Sequence, residues 1–456
     1  MPFMADTYRM RTCDYDVVIV GARCAGATLA IFLARAGANV LLLDKEGMPS
    51  DHILSTHMIA PPGIDVLDEV GVGEAVRAVT PATRIIRMCV DGASIDFELP
   101  DGRAGYCPRR KRLDGLLQRA AVSAGAQLLD RTRVTSLVQE EGRVRGVLAI
   151  RGNQEQVFTA GLVVGADGRY STVAKLVEAE EYLGYDGPRA TYWAYWNAPS
   201  FWKADPEYRF DMYVSHVGGD IRALFQTDHD QLLIAGSPST DQTRRWRANP
   251  QRELQAALGH DPVLGPLIRE SRPDGMVRGT VKERYFFRRA AGNGWVLVGD
   301  AGHHKEFVLG DGITEALLQA RGLAAAITEG TDAALTRWWR ARDVAALPLF
   351  FFGKEAGAAG SPAELRRDLI SHLTTLPDLN ARIVALMERQ LSPFEALPIS
   401  CILRWTWGAA LRGRWGALGE LLGAGGRAAA VHRELSARVK LLAEAEAIEA
   451  LARRAA

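Results

Sequence analysis

Three short stretches hold residues whose types and spacing suit ligand chemistry. Gly21-Ala22-Arg23-Cys24-Ala25-Gly26 follows a run of branched apolar residues, and Asp44 closes a second such run. A strand-to-helix turn needs glycine where backbone approaches a pyrophosphate, because free N–H groups and the positive helix end then face the anion. Asp44 stands where the second strand would set a carboxylate against ribose hydroxyls. Arg23 takes the place of the middle glycine in a G-x-G-x-x-G pattern. It either obstructs close approach or adds a guanidinium to the same phosphates.

The second stretch, Gly165-Ala166-Asp167-Gly168-Arg169 with Ser171 behind it, puts an acid on a glycine turn at another strand end, where open α/β sheets gather ligands. The third is "GDAGHHKEFVLGDGI", from Gly299 to Ile313. A flavin dinucleotide is long, so a turn that holds its pyrophosphate cannot also hold its ribityl chain and ring. Asp300 is suited to accept a hydrogen bond from a ribityl hydroxyl. Gly310 and Gly312 let backbone come close to the ring, and a helix entered at Ile313 directs its positive end there, against the negative charge of a reduced flavin.

The elements that must position these residues are legible in outline. "DVVIV" and "NVLLLDKE" read as strands buried on both faces, with a helix over Ala25–Ala36 between them and Gly37 as its stop: one βαβ unit. "LDGLLQRAAVSAGAQLL" reads as helix then strand, "GLVVGADGRYS" and "GWVLVGD" as further buried strands, and residues 312–329 as a helix. Residues 186–285 have another texture, aromatic and alternating with period two, as in Phe210, Met212 and Val214 against Asp211, Tyr213 and Ser215, which predicts a half-exposed antiparallel sheet. After about residue 340 the pattern is helical, with a break at "LSPFEALP" and a last amphipathic helix marked by Leu435, Val439 and Leu442.

Composition narrows the class. The chain has 456 residues, 48% apolar and 24% charged, enough for a large core and more than one domain. With 55 Lys and Arg against 54 Asp and Glu, a net charge of +1 gathers neither nucleic acid nor anionic lipid at long range. The five cysteines, Cys13, Cys24, Cys89, Cys107 and Cys401, form no C-x-x-C pair, which argues against a disulfide framework or a zinc site and fits a reducing cytoplasm. No apolar leader opens the chain, and "ALPLFFFG" is too short to span a bilayer. No metal is expected, since His52 with His57 or His303 with His304 makes no ligand set.

"GARCAG…D", "GADGRYS" and "GDAGHHKEFVLGDGI" resemble, in order, the three fingerprints of the group A FAD-dependent monooxygenases, the para-hydroxybenzoate hydroxylase-like flavoproteins. The resemblance covers roughly residues 14–350. It implies an α/β fold: a Rossmann-like FAD-binding domain from residues 1–80, 105–182 and 286–345, an inserted antiparallel β-sheet substrate domain from 81–104 and 183–285, and a C-terminal helical region, 346–456. FAD is the implied cofactor and NAD(P)H a transient co-substrate without its own Rossmann unit. Carried over by position, Gly21, Arg23, Gly26, Asp44 and Lys45 would serve the ADP part, with Val134 also a cofactor contact. Asp167 and Gly168 would serve the pyrophosphate and nicotinamide region, and Asp300, Gly310, Gly312 and Ile313 the ribityl and flavin. "PRRKRLDGLL" resembles the family's R-x-x-L helix, which makes Arg110 the FAD-contacting arginine and Arg109, Lys111 and Arg112 a solvated face.

One departure bears on the chemistry. The family commonly carries proline four residues after the histidine of "GDA-x-H"; after His303 this chain has Phe307, which either reshapes the oxygen pocket or replaces the packing. The implied reaction is oxygenation of a small, apolar or aromatic molecule by O2 at the flavin C4a position, with positioning and exclusion of water doing most of the catalysis. His57, His303 and Phe307 are candidates near the flavin, and no catalytic dyad stands out. Tyr192, Trp193, Tyr195 and Trp196 either line an apolar cavity or pack in the core. Trp405, Trp407 and Trp415, interleaved with Arg404, Arg412 and Arg414, either dock on the FAD domain or make a weak membrane-surface contact. A reductase of an isoprenoid-like substrate is the main alternative, and a flavin-binding scaffold without turnover is a third. A halogenase fits less well, because "YWAYWNAP" does not give W-x-W-x-I-P.

Overall fold

The computed structural model describes residues 13–49, 57–358, 370–376, 378–398, 407–408, 411, 426, 430–431 and 433–442. His52, Trp405, Trp415, Arg404, Arg412, Arg414 and Cys401 lie outside these. The chain divides into two compact units, one of Met1–Thr80, Pro108–Asp186 and Arg284–Asp343, the other of Pro81–Cys107, Gly187–Glu283 and Val344–Ala456.

In the first unit the branched apolar runs become the centre of a parallel sheet. Its strands lie in the order Gln127–Leu129, Val40–Leu43, Tyr15–Val20, Gln154–Gly165 and Trp295–Leu297, with Ala291–Gly292 antiparallel at the far edge. Val17, Val18, Ile19, Leu41, Leu42, Leu43, Leu162, Val163 and Val164 have no exposed surface. Burial on both faces is what makes these strands continuous apolar runs without alternation. Helix Cys24–Arg35 packs against both Arg110–Ser123 and Gly312–Thr328 beside the sheet. Tyr15–Val20 has the following strand on one side and the much later Gln154–Gly165 on the other, so strand order reverses there. Such a reversal opens a crevice at the carboxyl ends of the strands. Register brings the ends level: Val20 pairs with Leu43 and with Gly165, and Gly165 with Leu297. Thr132–Glu140, Arg143–Arg151 and the first half of Gln154–Gly165 form an antiparallel meander, and Glu181–Asp186, Arg284–Arg288 and His303–His304 a small separate sheet.

The second unit centres on a seven-stranded sheet, antiparallel except where Met212–Val217 runs parallel to Ile85–Val90. Its alternation is opposite in phase to a simple apolar-inward reading. Tyr213 and Ser215 are fully buried, while Met212 and Val214 are half-buried. The reason is a buried acid: the Tyr213 hydroxyl donates to Asp261 Oδ1 at 3.1 Å and Ser215 Oγ to Oδ2 at 2.6 Å. A carboxylate under a sheet demands donors, so polar side chains take the inward positions. That face carries Tyr192, Trp196, Leu224 and Ile234 against Trp246, Leu254 and Leu264 from the helices that follow. The sheet is not half-exposed either, since Ile86, Phe97 and Met212 pack with Leu376, Leu379 and Ile383 on the other side.

Candidate cofactor site

The four level strand ends carry the three glycine stretches side by side. At the first, Gly21 adopts φ 107°, and a Cβ there would stand 2.4 Å from the Ala166 carbonyl oxygen and 2.8 Å from the Asp167 nitrogen. A Cβ on Gly26 would lie 1.9 Å from the Gly21 oxygen. Both glycines therefore let the helix Cys24–Arg35 start hard against the second turn. Asp44, 7% exposed, accepts the Ala22 N–H at Oδ2 and the Glu46 N–H at Oδ1, both 2.9 Å. Burial raises its pKa above the usual carboxylate value although both hydrogen bonds oppose this. Asp44 thus fixes the turn whose backbone would meet a phosphate. Arg23 is half-buried beside it and Lys45 is exposed. Val134, buried, sits on the strand that begins where Thr132 N–H meets the Asp44 carbonyl at 2.8 Å.

At the second turn Asp167 caps a helix. Its Oδ1 accepts from Ser171 Oγ at 2.5 Å and its Oδ2 from Thr172 N–H at 2.6 Å, while Ser171 Oγ accepts from Ala174 N–H at 2.9 Å. Both carboxylate oxygens are thereby committed to the entrance of Thr172–Leu176, and the backbone around Gly168 is what faces outward.

The third stretch divides its two histidines. His303 and His304 form a two-residue strand, so their side chains leave on opposite faces. His303 turns inward, with Nε2 3.1 Å from Gln319 Nε2 and Nδ1 3.6 Å from Asp343 Oδ1. His304 Nδ1 stands 3.3 Å from Asp300 Oδ2. Asp300 lies in a short 3-10 turn, Gly299–Ala301, anchored where Gly299 N–H donates to Gln319 Oε1 at 2.9 Å. Desolvation opposes the Asp300 charge, but His304, His303 and Arg169 outweigh it and hold this carboxyl below the usual range. Farther along, Phe307 opens a second 3-10 turn that ends at Gly310, φ 63°. Lys305, 8% exposed, ties this loop to the next helix through Asp311 at 3.1 Å and Glu315 at 2.9 Å. The helix starts at Gly312, with Ile313 buried in its first turn. Ala60 N–H meets Thr314 Oγ1 at 2.9 Å, which sets the segment containing His57 (φ 65°, 1% exposed) beside this helix entrance.

Arg110 comes from the helix Arg110–Ser123 and is buried, whereas Lys111 is exposed and Arg109 and Arg112 half-buried. Its Nη2 donates to both oxygens of Asp114 at 3.1 Å, and Asp114 also faces Cys24 Sγ at 3.3 Å. Burial works against the Arg110 charge, yet Asp114, Cys24 and Asp300 hold its pKa above the usual value. Asp114, Gln118 and Gln319 were not singled out from the sequence. Asp114 had a signal, one turn after Arg110. Gln118, which donates to the Ala22 carbonyl at 2.8 Å, and Gln319 had none, because their partners are remote in the chain. The aromatic run lies in the second unit, where Tyr192 stacks on Trp246 with ring centres 5.0 Å apart.

The residues present fit FAD on two observations. The Arg110 Nε–H is buried and meets no acceptor in the protein. A Cβ at Gly312 would meet no atom within 4 Å, so packing within the chain does not explain that glycine, and the space over Gly168, which its φ of 78° requires to be glycine, is likewise open. Such backbone, placed at strand ends and a helix entrance, suits a ligand that comes close.

Fold and site together define a flavoprotein with an α/β FAD-binding domain. The chain belongs to the FAD binding domain family, whose model matches residues 14–343. It is 35% identical over 168 residues to 6-methylpretetramide 4-monooxygenase of Streptomyces rimosus, an alignment that covers 35% of this chain and 40% of that protein. Digeranylgeranylglycerophospholipid reductase of Methanocella arvoryzae is 25% identical over 399 residues, 86% of this chain and 95% of the reductase. The chain thus spans two fifths of the first relative and nearly all of the second. Among solved structures, p-nitrophenol 4-monooxygenase PnpA of Pseudomonas putida DLL-E4 superposes with a TM-score of 0.72 at 16% identity, over 84% of this chain and all of that one. Flavin-dependent brominase Bmp2 gives 0.70 at 18%, over 88% and 99%. At these identities the likeness is one of fold.

Proposed function

We propose that the chain is a monooxygenase that uses NAD(P)H and O2 to oxygenate a small, largely apolar or aromatic molecule at FAD. The observation that carries this reading is the convergence of three remote glycine stretches on four level strand ends, with a 17-residue helix starting beside them. FAD, when bound, supplies the hydride acceptance and the oxygen activation. The chain supplies grip and field. The entrance of the helix Cys24–Arg35, set by the turn that Asp44 holds, presents N–H groups to the pyrophosphate, and Arg110 Nε–H donates to the same cofactor. Asp300 accepts from the ribityl hydroxyls. The positive end of the helix Gly312–Thr328 favours negative charge on the reduced ring. Asp167 holds the Gly168 turn so that its backbone meets the pyrophosphate and the nicotinamide. The test is turnover: NAD(P)H and O2 consumed together, with a product heavier by one oxygen.

A second reading has its own support. Methanocella arvoryzae reductase aligns over 86% of this chain, and Phe307 stands where the group A pattern carries proline. Under this reading the enzyme reduces a hydrophobic, isoprenoid-like substrate, and its product gains two hydrogens under anaerobic conditions. Among the described residues, no helix is long and apolar enough to cross a membrane, and no group of three or more His, Cys, Asp and Glu side chains is placed to hold a metal ion.

A further inference from the structure

We propose that His304 is a positioning residue for Asp300: the imidazole fixes the carboxylate that accepts the cofactor's ribityl hydroxyls, so that the pair, and not Asp300 alone, grips this end of FAD. The proposal rests on the reading that Asp300 faces the ribityl chain.

The Asp300 side chain is 44% exposed, and an aspartate on a tight turn at that exposure rotates between several rotamers. His304 Nδ1, 3.3 Å from Oδ2, ends that freedom. The imidazole is itself held. Its backbone is paired with Phe286 in the small sheet, and its side chain is 13% exposed. The ring lies 5.4 Å from that of Tyr285, inclined by 31°, and 6.2 Å from that of Phe286. Tyr285 is anchored in turn, since its hydroxyl donates to the buried Glu306 at 2.7 Å. A rigid aromatic bed thus fixes a histidine, and the histidine fixes one carboxylate oxygen, which leaves the other with a set direction. Acceptors held by a supporting shell bind a polyol more tightly than freely rotating ones, because less order is lost on binding. The low pKa of Asp300, which desolvation opposes and the histidines and Arg169 sustain, keeps the acceptor ionised.

The test compares FAD and ADP affinities of the full-length apoprotein, by flavin fluorescence quenching and calorimetry respectively. His304→Ala should weaken FAD about tenfold and leave ADP unchanged, because ADP needs only the Gly21 and Asp44 end. His304→Asn, whose amide N–H reaches the Nδ1 position, should restore most of the affinity; His304→Gln, whose amide reaches the Nε2 position instead, should not. Asp300→Ala with His304→Ala should bind no worse than Asp300→Ala alone. The proposal is overturned if His304→Ala stays within about twofold of the parent, if the two losses multiply, or if Asn and Gln behave alike. Should His304→Ala not fold, the Asn and Gln pair decides. If Asp300→Ala itself binds FAD normally, the ribityl reading of Asp300 has failed, a result distinct from failure of the histidine's role.

Discussion

Gly21 and Ala166 meet backbone to backbone: a Cβ on Gly21 would stand 2.4 Å from the Ala166 carbonyl oxygen, at a φ of 107° that side-chain-bearing residues avoid. Gly21→Ala should therefore cost about 2–4 kcal/mol of stability, through strain and a forced separation of the two turns. Gly168→Ala is the comparison, since its φ is 78° but nothing lies within 4 Å of a Cβ. It should cost about 1–2 kcal/mol. Denaturant melts of the apoproteins check both values, and a loss of FAD affinity in Gly168→Ala out of proportion to its stability loss would report a ligand over that turn.

Arg110 and Asp114 form a buried pair, with side chains 10% and 0% exposed. Arg110→Leu leaves Asp114 with only the Cys24 thiol and should cost about 3–5 kcal/mol. Arg110→Leu with Asp114→Leu should recover most of that stability and none of the FAD affinity, because the Nε–H that the protein leaves without an acceptor is gone in both. Recovery of FAD affinity in the double variant would show that Arg110 serves the fold alone.

Burial pushes the Cys24 and Cys107 thiols from 9.0 up to about 12. In the unfolded chain both lose their protons near 9, so between the two values the unfolded state binds fewer protons than the native one. Stability is then whole below pH 9 and falls as pH rises towards 12, by a limit of about 4 kcal/mol for each thiol. Urea midpoints measured across this window should fall less steeply for Cys24→Ala and for Cys107→Ala than for the parent. Slopes identical to the parent's would contradict the burial argument.

Phe307→Pro restores the family proline. Glu306, at φ −53° and ψ 125°, already has the extended backbone that precedes proline, and Phe307 opens its 3-10 turn, where a fixed φ is tolerated. The variant loses the Phe307 N–H that donates to the Tyr285 hydroxyl, so it should cost about 1–2 kcal/mol of stability. If oxygenation is the native reaction, the yield of oxygenated product per NAD(P)H should change while FAD affinity stays the same; an unchanged yield would show that Phe307 only replaces packing.

The glycine turns, the buried strands and the acids at their ends were readable because each is local. A strand buried on both faces must be apolar throughout, and a turn against a phosphate must expose backbone, so composition over a few residues reveals both. The parity of the aromatic sheet was not readable, because Tyr213 and Ser215 turn inward only in answer to Asp261, which lies far along the chain. Nor was the committed state of Asp167, whose two oxygens are taken by its own helix entrance.

The chain by itself determined that an open α/β sheet would present three glycine turns at its strand ends, since patterning and turn chemistry act over neighbouring residues. Tertiary structure decided which side chains of those turns stay partly exposed at the strand ends and which pack into the protein. His303 and His304 are adjacent and chemically identical, yet one is buried against Gln319 and Asp343 and the other meets Asp300. The pleat of a two-residue strand separates them, and only the elements packed on either side give each face its meaning.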